Sequence, residues 1–525
     1  MKRTIINSLF AALALLSAAS CHKEAQPASQ NESDGSRLLV ASFAADGTRS
    51  TLDGLTPKWS AGDEVKLADA GTNSQVFTLV EGNPGENEAQ IIDGGAKFAV
   101  TIPDGWNTAM IFGVYPASAC NQFLSEDKIK IDIPVSQDGT FAGANICVAK
   151  TAGNTLSFQN ATAILKIEGK ASGISSIEIP ATDIAGTYTI SGIGSTLSAQ
   201  KSSASDKITL SGMADSGPYY VAVAPVTVPE NTKFSYKDSE SHEVGSRTTG
   251  AANTLAINSI YNIGRVLPDG AVPALFSVSA TKKVVFSKGN LWCDSTASPV
   301  IWSFEGNQYS SATTWSTSHV SHFFWSHIPS VTYEENYDDG SASMLYALFT
   351  NGPANSGIAN PEFTVNGQTG VWRALVGTGN DNENEWHYLL SKRSASTVGG
   401  IKDARYAKAT VEGVAGLIVF PDSYTHPSDI TALTNINIMS AAFTTNEFDA
   451  ADWTKIEKAG AVFLPTGSRT GTNVEDIGTG GYYWSSRCNI EADAFRMYFY
   501  SDQVVCTTSL DRKYGLSIRL VADVN

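Results

Sequence analysis

From residue 37 to about residue 265, apolar and polar side chains alternate in short segments, among them 38–43, 129–133, 163–167 and 219–224, each closed off by Gly, Pro, Asn or Asp. A strand turns successive side chains to opposite faces, so alternation of period two at this spacing predicts half-buried strands stacked as sandwiches. The region is expected to be all-β. Between Val266 and Leu275, two prolines and a glycine predict a short, stiff connection. Beyond it the pattern changes. Trp386, Leu389, Leu390 and Arg393 fall at i, i+3, i+4 and i+7, which predicts a helix over 382–393 with one buried face. A second helix is expected over 450–459, with Asp449 as N-cap, Trp453 and Ile456 inward and Gly460 as terminator. Strands are expected at 283–286, 417–420, 462–464, 481–485, 494–500 and 515–521. Two short helices beside a terminal antiparallel sheet make 276–525 an α+β domain.

The N-terminus carries a different signal. Lys2 and Arg3 precede an apolar run from Leu9 to Leu16, then Ser17, Ala18, Ala19 and Ser20, then Cys21. That order reads as a secretory signal over 1–20 cut before a lipidation cysteine, Cys21, with Ala18 where such signals usually carry leucine. The run is too short to span a bilayer. Acyl chains on Cys21 then become the membrane anchor. Residues 21–36 are polar, contain Gln26, Pro27, Gln30, Asn31 and Gly35, and form a flexible tether with too little to bury.

Composition narrows the chemistry. The 525 residues include 36 Lys+Arg against 52 Asp+Glu, a formal charge of −16, with no basic run. Counterion release needs a concentrated Lys/Arg surface, so no nucleic-acid partner is expected. Besides Cys21 there are five cysteines, an odd count that rules out a fully paired disulfide framework, although Cys488 and Cys506 flank an expected hairpin and are a candidate pair. No Cys-x-x-Cys, His-Glu-x-x-His, Gly-x-Ser-x-Gly, phosphate loop or dinucleotide fingerprint occurs. The chain is therefore expected to be no enzyme and to need no metal and no cofactor. His319, His322 and His327, beside Phe323, Phe324 and Trp325, read as partly buried loop histidines. The acidic stretch 381–385 reads as helix capping rather than a calcium site, and Asn360-Pro361-Glu362 is only a rearranged echo of a calcium-lectin triplet. Eight of the ten tryptophans lie beyond residue 290, which calls for a large irregular core or a binding face there.

Several motifs in order carry a resemblance. Thr48-Arg49-Ser50-Thr51, Pro57-Lys58-Trp59-Ser60-Ala61-Gly62-Asp63, Phe112-Gly113-Val114-Tyr115-Pro116, Ile133-Pro134-Val135-Ser136-Gln137, Leu156-Ser157-Phe158-Gln159-Asn160-Ala161 and Asn258-Ser259-Ile260-Tyr261-Asn262-Ile263 follow one another. Over these roughly 230 residues the chain resembles the fimbrillin family, the pilins of Bacteroidetes fimbriae and their lipoprotein relatives. The resemblance implies two transthyretin-like β-sandwiches, 37–150 and 151–265. It also implies cleavage by an arginine-specific protease, with Arg49 the candidate and Arg37 behind it, and replacement of the first strand by a neighbour's. The Cys-His-Lys-Glu start resembles the surface-export signals of Bacteroidetes lipoproteins, which implies the outer face of the outer membrane.

Residues 276–525 resemble a second group. Val285-Phe286-Ser287-Lys288-Gly289-Asn290-Leu291, Glu385-Trp386-His387-Tyr388-Leu389-Leu390, Val462-Phe463-Leu464-Pro465, Gly481-Tyr482-Tyr483-Trp484-Ser485-Ser486 and Gly515-Leu516-Ser517-Ile518-Arg519-Leu520-Val521 are similar to the major-paralogous branch of the C-type-lectin-like fold. That resemblance implies a binding face in the last quarter, with Tyr482, Trp484, Arg487, Asn489, Tyr498, Tyr500, Asp502 and Arg512 as candidates. Alternation along two strands requires about half of them to point inward. The expected protein is a lipid-anchored surface adhesin or fimbria-associated subunit. Its expected partners are the outer membrane through the anchor, a host or bacterial surface glycan or protein, and other fimbrial subunits. Two alternatives are a lipoprotein enzyme or glycan-capture component of an uptake system, and a structural fimbrial subunit.

Overall fold

A computed structural model describes residues 37–44, 57–124, 127–325, 364–470, 473–489 and 493–524. The expected signal, Cys21, the tether, Arg49, His327 and Asn360-Pro361-Glu362 lie outside the described residues. Strands dominate what is described, and helices are few and short.

The first unit is a barrel. Its eight strands run, in ladder order, Arg37–Phe43, Thr155–Asn160, Cys147–Thr151, Ile111–Tyr115, Glu64–Asp69, Ser74–Val80, Glu88–Ile92 and Lys97–Ile102, and the last pairs with the first. Arg37–Phe43 closes the ring, antiparallel to Lys97–Ile102 and parallel to Thr155–Asn160. Leu39, Ala41, Leu67, Phe98, Val100 and Leu156 fill the interior around Trp59. The Trp59 indole stacks on Phe43 at 4.0 Å and meets the edges of Phe98, Tyr115 and Phe158. Gly113 makes room for this cluster, since a Cβ there would stand 2.8 Å from the Phe158 ring.

Two sequence expectations change here. The ladder closes on itself instead of leaving two separate sheets, and the expected boundary at 150/151 falls inside the barrel strand Cys147–Thr151. Cys120–Phe123, Ile129–Ile133 and Ser136–Gln137, which precede that boundary, are paired into the second unit. Alternation marks a strand but carries no information about its hydrogen-bonded neighbour.

The second unit is a sandwich. One sheet is built on the long hairpin Ser176–Ser191 and Ser198–Ser211, flanked by Lys233–Lys237 and Glu243–Thr248; the other is Tyr219–Val223, Ala163–Lys170 and Ser259–Val266. Ile164, Ile167, Ile177, Ile179, Ile208, Leu210 and Val221 are buried in its core. The hairpin tip reaches the barrel, where the Gly194 amide donates to Gln159 Oε1 at 2.9 Å.

In the third unit, the head, the helix Ala450–Lys458 forms as expected, with the Asp449 side chain accepting from the Asp452 amide at 2.8 Å and Trp453 and Ile456 buried. The other expected helix is shorter. It is one turn, Glu385–His387, followed by a wider turn, Tyr388–Lys392. Asn384, within the stretch 381–385 read as capping, supplies the N-cap, accepting from the His387 amide at 2.9 Å. Trp386, Leu389, Leu390 and Arg393 are all buried, so the expected face exists without the expected length.

Head and second unit share one core. Ala171, Ile174 and Val266 belong to the same buried cluster as Val371, Trp372, Leu520, Ala522 and Val524. Ala171 bridges Val524, and the Ser172 amide donates to the Asp523 carbonyl at 2.8 Å. The connecting segment is itself packed: Val266 and Val272 are buried, and the Val272 amide donates to the Phe286 carbonyl at 2.7 Å. Inside the head, Arg373 joins Glu385, at 2.6 and 2.9 Å, to Asp523, at 2.5 and 2.8 Å.

Candidate functional site

The head's last sheet is a meander of Gly480–Cys488, Asp493–Tyr500 and Val504–Asp511. Alternation gives it two unlike faces. Tyr483, Met497, Phe499, Val504 and Cys506 enter one core cluster. On the other face, register places Gly480 against Tyr500, Tyr482 against Tyr498 and Trp484 against Arg496, with Thr508 opposite Arg496 on the third strand. Gly480 is required by this face, because a Cβ would lie 2.6 Å from the Tyr500 ring that covers it.

Three tyrosines and one arginine form a compact group there. Tyr482 and Tyr498 stack with centroids 6.0 Å apart, and Tyr500 stands edge-on to both, at 5.6 and 5.9 Å. The Arg496 guanidinium sits 4.5 Å from the Tyr498 centroid and 5.1 Å from that of Tyr482. Such cation–π contacts stabilise a charge without using its hydrogen-bond donors. Arg496 Nε and Thr508 Oγ1 are buried without a hydrogen-bond partner. Burial lowers the Arg496 pKa from its ordinary value, opposed by Tyr498, Asp476 and Tyr514. Burial, followed by the nearby charges of Asp476 and Asp502, raises that of Tyr500.

The eight sequence candidates divide. Tyr482, Tyr498 and Tyr500 are brought together. Trp484 is core, 1% exposed, its indole N–H donating to the Phe323 carbonyl at 2.7 Å. Arg512 is equally buried, its guanidinium 4.6 Å from the Trp325 ring. Arg487 pairs with Glu383 at 2.7 Å, and Asn489 donates to Ser509 Oγ at 3.1 Å. Asp502 is exposed in the turn between the second and third strands. Arg496 and Thr508 are missing from the candidates, yet Arg496 lies two residues before Tyr498, the spacing that puts both on one strand face.

Cys488 and Cys506 form no disulfide with each other, a correction to the sequence reading: both are buried thiols. They lie on the first and third strands with the middle strand between them, and they enter different core clusters. Burial pushes the Cys506 thiol up to about 12, far from a thiolate nucleophile at neutral pH.

The histidines are engaged locally. His319 contacts Glu305 at 2.7 Å and stacks on Trp292, while burial pushes His322 down to about 3 with Arg469 beside it. Among the described residues no group of three His, Cys, Asp or Glu side chains converges on a metal position. In the acidic stretch, Glu385 serves Arg373 and Asn384 caps the turn. A cleft of about 840 Å³ separates the second unit from the head, lined by Glu168, Asp215, Arg265, Lys282, Lys283 and Asp523. Its charges are mixed in sign and spread along open walls.

No protein-family model and no curated protein matches the chain. Solved structures do. A candidate cell adhesion protein from Bacteroides thetaiotaomicron is 12% identical, matched over 44% of this chain and 91% of its own, with a TM-score of 0.26. A fimbrial protein from Bacteroides vulgatus is 10% identical over 44% and 95%, with a TM-score of 0.21. A fimbrial protein from Bacteroides ovatus is 10% identical over 92% and 97%, with a TM-score of 0.23. Likeness at this level carries no argument about function.

Trp484 and Tyr500 separate structure from recognition. Trp484→Ala is expected to cost about 3–5 kcal/mol as a buried aromatic deletion, and Tyr500→Ala less than half of that. Chemical denaturation of the two variants measures the difference.

Proposed function

We propose that the chain is a surface adhesin or fimbria-associated binding protein: a lipid anchor at Cys21, a tether, two β units and a lectin-like head that binds without turning its ligand over. The observation that carries this reading is the group of Tyr498, Tyr500 and Arg496, half-buried and partly open to solvent on the side of the sheet opposite the Tyr483–Met497–Phe499 core, with the buried Tyr482 ring behind them. Tyrosine offers a large, rigid contact area at low entropic cost, which suits recognition. The head shares its core with the second unit, so it is held in fixed orientation at the end of the β units. The order of fimbrillin-like motifs supports the same reading. Beads coated with the full chain are expected to adhere to a glycan- or protein-coated surface, and the Tyr498→Ala/Tyr500→Ala double variant to adhere several-fold less with its folding intact. Adhesion unchanged by the double substitution contradicts the assignment of this face.

A structural fimbrial role is favoured by one further observation. Arg37–Phe43 closes the barrel by pairing on both sides, so its loss opens two strand edges. Arg37 is anchored to the Thr108 and Gly153 carbonyls and to Asn154, and a cut after it leaves the closing strand in place. A cut after Arg49 detaches the strand. If the chain polymerises, protein trimmed after Arg49 forms ladders on denaturing gels; a persistent monomer removes this role.

A further inference from the structure

We infer that the tyrosine face recognises an acidic saccharide, a pyranose bearing a carboxylate or a sulfate, with Arg496 as the group that selects the acid. The inference rests on that face being the binding face.

Arg496 is the reason. Its guanidinium lies against two tyrosine rings, and among the described residues it forms no ion pair and donates no hydrogen bond. Three arginines buried or half-buried elsewhere in the head are held by hydrogen bonds or ion pairs. Arg373 is saturated by Glu385 and Asp523, Arg393 by Asp422 and backbone carbonyls, and Arg519 donates to Asn290, Gln308 and the Phe463 carbonyl. Asp476, the carboxylate nearest in electrostatic effect, is engaged by Ser468 at 2.6 Å. A partly desolvated cation without an anion is costly, and a charge-assisted bond to an incoming acid removes that cost. The planar fork of donors matches a carboxylate or a sulfate.

The rings argue for a sugar as the bearer of the acid. Tyr498 and Tyr500, both half-buried, donate no hydrogen bond to the described residues, so their hydroxyls remain for ligand hydroxyls, while Tyr482 backs them from the core. Their electron-rich faces suit the weakly positive C–H face of a pyranose. Thr508 Oγ1, unpartnered and opposite Arg496 in register, adds a further polar group on the same face. The chain's charge of −16 repels anions at long range, so selection must come from short-range contact at Arg496.

The test presents the full chain with an oligosaccharide array ending in a uronic acid, in a sulfated hexose, or in the neutral parent sugar. Retention of either acidic probe over the neutral one is expected, and the two acidic arms show which acid fits. Arg496→Gln is expected to weaken the acidic probe at least about tenfold, the usual value of a hydrogen bond to a charged group. Where Arg496→Gln melts early, Arg496→Lys keeps the stem and the charge but not the fork, and is expected to lose part of the same affinity. Neutral and acidic probes bound alike, with Arg496→Gln without effect, overturn the acid assignment and leave the binding face standing. Retention of no saccharide at all overturns both.

Discussion

The apolar core that runs without interruption from the second β unit into the head is the constraint on which the rest depends. Ala171, Ile174 and Val266 from one side and Val371, Trp372, Leu520 and Val524 from the other occupy one cluster, and the same cluster continues to Phe112, Val114 and Val148 of the barrel. Those three belong to strands whose other face fills the barrel: Ile111, Tyr115, Cys147 and Ala149 point inward. Burial on both faces is why Ile111–Tyr115 has no polar side. A polar clamp lies beside the shared core. Arg373 holds Asp523 and Glu385 together, and the backbone of Asp523 takes the Ser172 amide of the second unit. Removing one member leaves buried charge unpaired, which is far more destabilising than the pair is stabilising.

Mounted on that core, the terminal sheet packs its two faces into two different clusters. Tyr483, Met497 and Phe499 join the head's interior, while Tyr482, Tyr498 and Tyr500 gather around Arg496. Trp484 and Arg512, which by residue type look like recognition groups, are packed inside. That second face is itself partly core: Tyr482 and Trp484 are buried in the cluster shared with the second unit, and Tyr498 and Tyr500 pack half-buried against it.

Much of this was legible in the sequence. The alternating segments are strands, the Asp449-capped helix has its expected buried side chains, and the spacing of Trp386, Leu389, Leu390 and Arg393 gives the right buried face. What escaped depends on partners distant in the chain. Barrel closure pairs Arg37–Phe43 with Thr155–Asn160, more than a hundred residues away, and no local pattern encodes that contact. The unit boundary was misplaced for the same reason, since Ile129–Ile133 pairs forward to the long hairpin. The disulfide expectation failed because a hairpin was assumed where three strands form, putting Asp493–Tyr500 between the two cysteines. Of the candidate face, the tyrosines followed from the resemblance, and the two-residue spacing of Arg496 and Tyr498 pointed to one face; the fold adds the place of Arg496 beside Tyr482 across the ladder.

Hydrogen exchange under increasing denaturant, read by mass spectrometry on the full chain, tests the shared core most directly. Amides in 163–170 and 219–223 of the second unit should open together with those in 371–375 and 520–524 of the head, with one free energy and one denaturant dependence. Head amides that open at lower denaturant while those of the second unit stay protected would contradict it, and the head would then be a separate body on a loose joint.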